Sequence, residues 1–144
     1  MALGAILLVG ALGLAACGGD DDDGRVEVTL SEWIVEPAPA DADAGEIEFV
    51  GDNVGAETHE LVVIRADSAA ALPIDDDGAV VEDDLESGAL IGELEDVATK
   101  TSKSVMLDLA AGSYVLLCNI TEEEDDGTIE SHFEKGMHAE FTVE

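Results

Sequence analysis

Apolar and polar residues alternate along most of the chain that follows residue 24. In segment 25–34, Val26, Val28 and Leu30 are separated by polar residues, which is the period-two pattern of a strand with one buried face. Further segments have the apolar and β-branched character of short strands: 46–51, 59–65, 104–109, 113–120 and 139–143. Short strands with turns between them predict an all-β sandwich or barrel.

The connections between these strands differ in length. Ala110-Ala111-Gly112 is short and predicts a tight hairpin between 104–109 and 113–120. Segment 67–100 is long and acidic with isolated apolar residues. We expect it to be an insertion or flexible flap, with room for one short helix and one strand.

The first residues differ from everything that follows them. Residues 1–16 are apolar or small, and Leu14-Ala15-Ala16-Cys17 resembles the lipobox of prokaryotic lipoproteins, whose cysteine is lipidated and becomes the new N-terminus. The run is shorter than the roughly 20 apolar residues of a membrane span. We therefore expect 1–16 to be a lipoprotein-type signal peptide and Cys17 to carry the lipid. A short buried helix is the alternative, and no Lys or Arg precedes the run.

The charge of the chain is strongly negative. Asp and Glu number 35 and Lys and Arg only 5, for a formal net charge of −30. Nucleic-acid binding requires a basic face, so this class of partner is excluded. The acidic surface either keeps the protein soluble or favours a basic protein partner and speeds the encounter with it.

Composition also divides the chain. Residues 17–25 contain GGDDDDG and predict an acidic, hydrated tether. Residues 26–144 are enough for one folded domain, which we expect to be monomeric.

Cys118 raises a chemical question, because a free thiol is a liability in an exported protein. The chain has two cysteines that could form one disulfide, but a lipid on Cys17 would leave Cys118 without a partner. His59 begins one predicted strand, Cys118 ends another, and His132 and Met137 precede the last. Two imidazoles, a thiolate and a thioether are the ligand set of a blue-copper site.

Each of these residues has a simpler interpretation when taken alone. A buried Cys is often a small hydrophobic residue, and a lone Met in a loop often serves packing. The chain has three histidines, and His138 should face away from Met137 in an extended segment, so we expect it at the surface. The metal-site hypothesis rests on the four residues occurring together.

The motifs around these residues resemble those of the cupredoxins, the plastocyanin- and azurin-like blue copper proteins. The resemblance covers about 26–144 and rests on Asn53-Val54-Gly55 before His59, on GSYVLLC at 112–118, and on HFEKGM at 132–137. It implies a cupredoxin-like Greek-key β-sandwich or barrel with one type 1 copper ion. The implied ligands, in chain order, are His59, Cys118, His132 and Met137.

The chain departs from that family in one spacing and one neighbour. Residues 119–131 separate Cys118 from His132, where cupredoxins usually have only a few residues. The inserted part, 121–130, contains Asp126-Gly127, the preferred dipeptide of a tight hairpin turn, so its two ends should be neighbours. Glu60 follows His59 where many relatives carry Asn, and its backbone N–H could still hydrogen-bond the thiolate.

The resemblance implies a membrane-anchored, extracytoplasmic carrier of single electrons that cycles between Cu(I) and Cu(II), and not an enzyme. It also implies that electrons leave through the exposed edge of His132 and that the partners are redox proteins, here with a basic docking face. A copper chaperone or scavenger is an alternative, although the chain lacks a Met-rich or His-rich tract. A cupredoxin-like interaction module without a redox role is a further one.

Overall fold

The computed structural model describes residues 24–144. The predictions of a signal peptide at 1–16, of a lipid on Cys17 and of most of the tether at 17–25 therefore concern residues outside the described range. The strands within it are β1 (Arg25–Ser31), β2 (Ile34–Ala38), β3 (Asp41–Ala42), β4 (Gly45–Asn53), β5 (His59–Arg65), β6 (Leu90–Val97), β7 (Ser102–Leu109), β8 (Gly112–Leu117), β9 (Thr121–Glu123), β10 (Ile129–Ser131) and β11 (His138–Val143).

These strands form two main sheets and one small ribbon. The first sheet has the order β2-β1-β4-β7, with β1 and β4 parallel and the other neighbours antiparallel. The second has the order β3-β11-β8-β5-β6, and the ribbon pairs β9 with β10. The predicted all-β sandwich is confirmed.

The core lies between the two main sheets because each presents its apolar positions to the other. Val26, Val28 and Leu30 are fully buried, as their alternation along β1 predicts. The rings of Phe49 on β4 and Phe141 on β11 meet edge to face with centroids 5.5 Å apart, which joins the sheets at the centre of the core.

The hairpin predicted between β7 and β8 is wrong. β7 pairs with β4 in the first sheet, whereas β8 pairs with β5 and β11 in the second. Residues 110–111 thus carry the chain from one layer of the sandwich to the other. A short connection between two strands is compatible with either arrangement, and here the burial of both inner faces decides between them.

Segment 67–100 packs against the sandwich. It contains two single-turn 3₁₀ helices, Ala69–Ala71 and Glu82–Asp84, and then β6. Leu72 and Val80 are buried in a second apolar cluster, which includes Phe133 and lies on the outer side of the second sheet. None of the helices among residues 24–144 is long and apolar enough to span a membrane.

Candidate metal centre

Three side chains from separate parts of the chain meet at one end of the sandwich. His59 begins β5, Cys118 follows β8, and His132 follows β10. The two Nδ1 atoms lie 3.3 Å apart, and Cys118 Sγ lies 3.4 Å from His132 Nδ1. All three side chains are fully buried, and one nitrogen or sulfur atom from each lies within 4.8 Å of the others. The structure thus brings together three of the four predicted ligands.

Met137, the fourth predicted ligand, is fully buried, and its backbone is hydrogen-bonded to Cys118 and His132. Its carbonyl accepts a hydrogen bond of 3.0 Å from Cys118 N–H, and its N–H donates one of 3.0 Å to the carbonyl of His132. Cys118, His132 and Met137 are therefore held in one hydrogen-bonded unit. His138 is exposed, as expected.

The hairpin predicted between Cys118 and His132 is confirmed. β9 and β10 pair antiparallel, and Gly127 adopts a φ of 81° in their turn, a left-handed conformation that favours glycine. At the base of the hairpin, His132 N–H donates to the carbonyl of Ile120 over 3.0 Å. Cys118 and His132 are thus neighbours despite their separation in sequence.

Asn53 shapes the loop that leads to His59. Its buried amide nitrogen donates to the carbonyls of Glu57 and Val97, at 2.7 and 2.8 Å, and its oxygen accepts from Gly55 N–H at 2.9 Å. These bonds fix both the loop and its distance from β6. The sequence motif that begins with Asn53 therefore has a structural role, which is to place His59.

The separations between the donor atoms suit ligands of one metal ion better than they suit hydrogen bonds between the side chains. Two imidazole nitrogens 3.3 Å apart can share at most one proton, so at least one lone pair faces the other ring. Ligand atoms at about 2.0–2.3 Å from one ion in a trigonal plane would lie about 3.5 Å apart, close to both observed separations. The buried side-chain nitrogen and oxygen atoms that lack a hydrogen bond in residues 24–144 are Glu57 Oε2, His59 Nε2 and His132 Nε2, and all three belong to this region.

The surroundings favour the neutral forms of Cys118 and His59. Burial raises the pKa of the Cys118 thiol to about 11, and burial followed by the charge of His132 lowers the pKa of His59. Glu60 N–H lies 3.4 Å from Cys118 Sγ, so the expected backbone hydrogen bond to the sulfur is present. A metal ion that binds the thiolate must displace the thiol proton.

One carboxylate and one indole complete the site, and the sequence patterns did not predict them. Glu32 Oε1 lies 3.5 Å from His59 Nε2 and accepts hydrogen bonds from the N–H groups of Ala56 and Glu57. A hydrogen bond from its own backbone N–H, followed by those from Ala56 and Glu57, lowers the pKa of Glu32 to about 2, so it is a fixed negative charge. A Cβ at Gly55 would lie 2.6 Å from Glu32 Oε1, so a side chain there would displace this carboxylate.

The indole is that of Trp33, the single tryptophan of the chain. It meets His132 edge to face, with ring centroids 5.5 Å apart and an interplanar angle of 86°. Lys135 Nζ lies 4.8 Å from the centre of the Trp33 ring and 2.8 Å from a carboxylate oxygen of Glu130. The expectation of an exposed His132 edge is wrong, because His132 is fully buried beneath these neighbours.

Comparison with known proteins identifies the architecture. No family model matches the chain, and no curated protein matches it. Solved structures do match, and they place the described residues in the cupredoxin fold. Dithionite-reduced auracyanin from the photosynthetic bacterium Roseiflexus castenholzii superposes with a TM-score of 0.59 at 18% identity, over 84% of this chain and 97% of that chain.

Two further structures agree. Auracyanin B gives a TM-score of 0.54 at 18% identity, over 83% of this chain and 88% of its own. A variant of rusticyanin gives 0.51 at 13% identity, over 84% and 78%. The resemblance to the cupredoxins is therefore confirmed as a likeness of fold, and the function must be argued from the site itself.

Proposed function

We propose that this protein is a blue copper protein that carries single electrons. The observation that carries the proposal is the convergence of His59 Nδ1, His132 Nδ1 and Cys118 Sγ in a fully buried position, at separations suited to one ion. Histidine nitrogen, thiolate and a weak thioether from Met137 form the ligand set that suits both copper oxidation states.

The chain would contribute geometry, shielding and charge. When bound, copper supplies one-electron redox chemistry. The hydrogen bonds that join Cys118, Met137 and His132 would hold the ligands in one arrangement in both states, which limits reorganisation. Complete burial of the three side chains would keep water from the thiolate, and Glu60 N–H would stabilise its negative charge.

Electrons would pass through Trp33. In this protein the buried His132 ring contacts the half-buried indole, so an electron leaving by the imidazole would meet that ring before solvent. Lys135, bonded to Glu130 of the hairpin, would hold the indole in place.

The setting we propose is extracytoplasmic, with a lipid on Cys17 anchoring the protein to the membrane and monomeric protein acting on redox partners. Support for the anchor is the lipobox-like Leu14-Ala15-Ala16-Cys17. Support for a basic docking face on the partner is the acidic hairpin 121–130 beside the site. Single-electron transfer by one domain would require no catalytic residues, so we propose no enzymatic activity.

An optical and EPR spectrum after addition of one equivalent of Cu(II) tests the proposal. We expect an intense blue thiolate-to-copper band with narrow copper hyperfine splitting, lost in Cys118→Ser and kept in His138→Ala, the exposed histidine. A pale solution with an ordinary square-planar Cu(II) signal would overturn it. A copper chaperone would instead release its copper quickly to a competing chelator, so the same sample also tests that alternative.

A further inference from the structure

A second group of candidate ligands lies against the outer nitrogen of His132. Glu57, from the loop before β5, and Glu122, on β9, each place a carboxylate oxygen near the imidazole, and the three ligand atoms lie within 4.8 Å of one another. None of the contacts that hold Cys118 involves these carboxylates. The group lies beside the proposed copper site and would share His132 with it.

Two atoms of this group are buried without a hydrogen bond. His132 Nε2 belongs to a fully buried side chain, and it lies 3.7 Å from Glu57 Oε2, which is also buried and also lacks a hydrogen bond. The separation is too long for a direct N–H···O bond. It is suited to a cation about 2.0–2.2 Å from each atom. Leaving both atoms unpaired is unfavourable, because each gives up hydrogen bonds to water on burial and regains none.

The negative charges around Glu57 also favour a cation at this position. Glu57 and Glu122 place carboxylate oxygens within 4.8 Å of each other, so their negative charges face one another. Glu32 and Glu130 add repulsion at Glu57, and the ammonium of nearby Lys135 is bonded to Glu130. A divalent cation between Glu57 and Glu122 would remove this repulsion.

We propose that Glu57, Glu122 and His132 Nε2 bind a divalent cation of the zinc class, with the His132 ring shared between this ion and the proposed copper site. Two carboxylates and one imidazole suit a borderline cation and leave a fourth position for water. When both sites are filled, the Nε2 proton of His132 would pass to solvent, because each ring nitrogen would then hold a metal.

Zinc added to protein that already carries one equivalent of copper tests this proposal. At high salt, where diffuse attraction to the acidic surface is screened, we expect one zinc per chain by calorimetry and elemental analysis. Glu57→Gln and Glu122→Gln should weaken zinc binding about tenfold or more. Glu123→Gln, which removes the same charge from the adjacent position of the same strand, should leave it unchanged. Zinc should also shift the copper EPR signal in the unmodified protein.

Equal zinc binding in all of these variants, or none in the unmodified protein, would overturn the second site. Failure of the proposed function gives a different result. If no blue band forms but zinc binding still depends on Glu57 and Glu122, the cation site stands and the copper proposal falls. Cys118→Ser provides the matching check, because it removes the thiolate and leaves the zinc ligands intact.

Discussion

Two parts of the chain between Cys118 and Met137 differ in burial and in hydrogen bonding: the candidate ligands and the hairpin 121–130. The hydrogen-bonded unit of Cys118, His132 and Met137 is fully buried and tied together by backbone bonds. The hairpin between them is exposed along 121–129 and is joined to the rest at its base. There, Ser131 Oγ donates to the carbonyl of Gly78 over 2.7 Å. The ligand geometry and the surface charge are therefore carried by different residues.

This separation teaches how an insertion can enter a metal-binding loop without displacing the ligands. Because β9 and β10 pair, the hairpin returns to its starting point, and His132 N–H still bonds to Ile120 beside Cys118. The hairpin adds carboxylates next to the candidate site, and its paired strands keep Cys118 and His132 adjacent. If the ligand-holding residues and the hairpin 121–130 act independently, variants in one should leave the role of the other intact.

The largest effect is expected from the framework. Asn53→Ala removes three hydrogen bonds and leaves the carbonyls of Glu57 and Val97 without their partner. We expect a loss of about 2–4 kcal/mol in the free energy of unfolding and weaker copper binding, because His59 loses its support. Urea denaturation measures the first effect and copper titration the second. Asp52→Ala, at an exposed neighbouring position, is the control and should cost little.

Deleting the hairpin should leave copper binding intact and slow the reaction with partners. Without 121–130 the blue band should persist, while reduction by a cationic protein or inorganic complex should slow about tenfold at low salt, because long-range attraction is lost. Stopped-flow kinetics across salt concentrations measure the effect. Asp41→Asn with Asp43→Asn removes two exposed negative charges away from the site and is the control for charge lost elsewhere on the surface. A salt dependence identical to that of the intact chain would remove the docking role.

A smaller effect is expected at the indole. Trp33→Leu should slow electron exchange with small redox reagents several-fold and leave the position of the blue band unchanged, because Trp33 contacts His132 without being a candidate ligand. Lys135→Gln should give a weaker change in the same direction, since it removes the cation above the ring. If Trp33→Leu exchanges electrons at the original rate, the route lies elsewhere.

The smallest expected effect concerns the fixed charge at Glu32. Glu32→Gln keeps an oxygen to accept from Ala56 and Glu57 but removes a negative charge 3.5 Å from His59 Nε2. Oxidised copper would lose stabilisation on the order of 1 kcal/mol, so the reduction potential should rise by about 40 mV. Protein-film voltammetry measures the shift. Glu36→Gln, exposed on β2, should leave the potential where it was.

Local patterns were enough to predict β1, β4, β5, β7, β8 and β11, but not β2 or β3. The meeting of His59, Cys118 and His132 was expected from the residue types together with the cupredoxin resemblance. The alternation along β1 and the Asp126-Gly127 turn are signals that neighbouring residues carry in themselves. The contact of Glu32 with Ala56 joins residues 24 positions apart and has no such signal. The contact of Trp33 with His132 and the passage of 110–111 from one sheet to the other also lack a local signal. Each depends on how the two sheets pack.

The direction of β1 gives the molecule two distinct ends. Arg25 begins this strand at one end of the sandwich, and Glu32 and Trp33 follow its last residue at the end that holds the candidate metal centre. A strand of seven residues spans about 20 Å or slightly more. If Cys17 carries a lipid, its tether joins the sandwich at the Arg25 end, and the candidate metal centre lies at the end opposite that attachment.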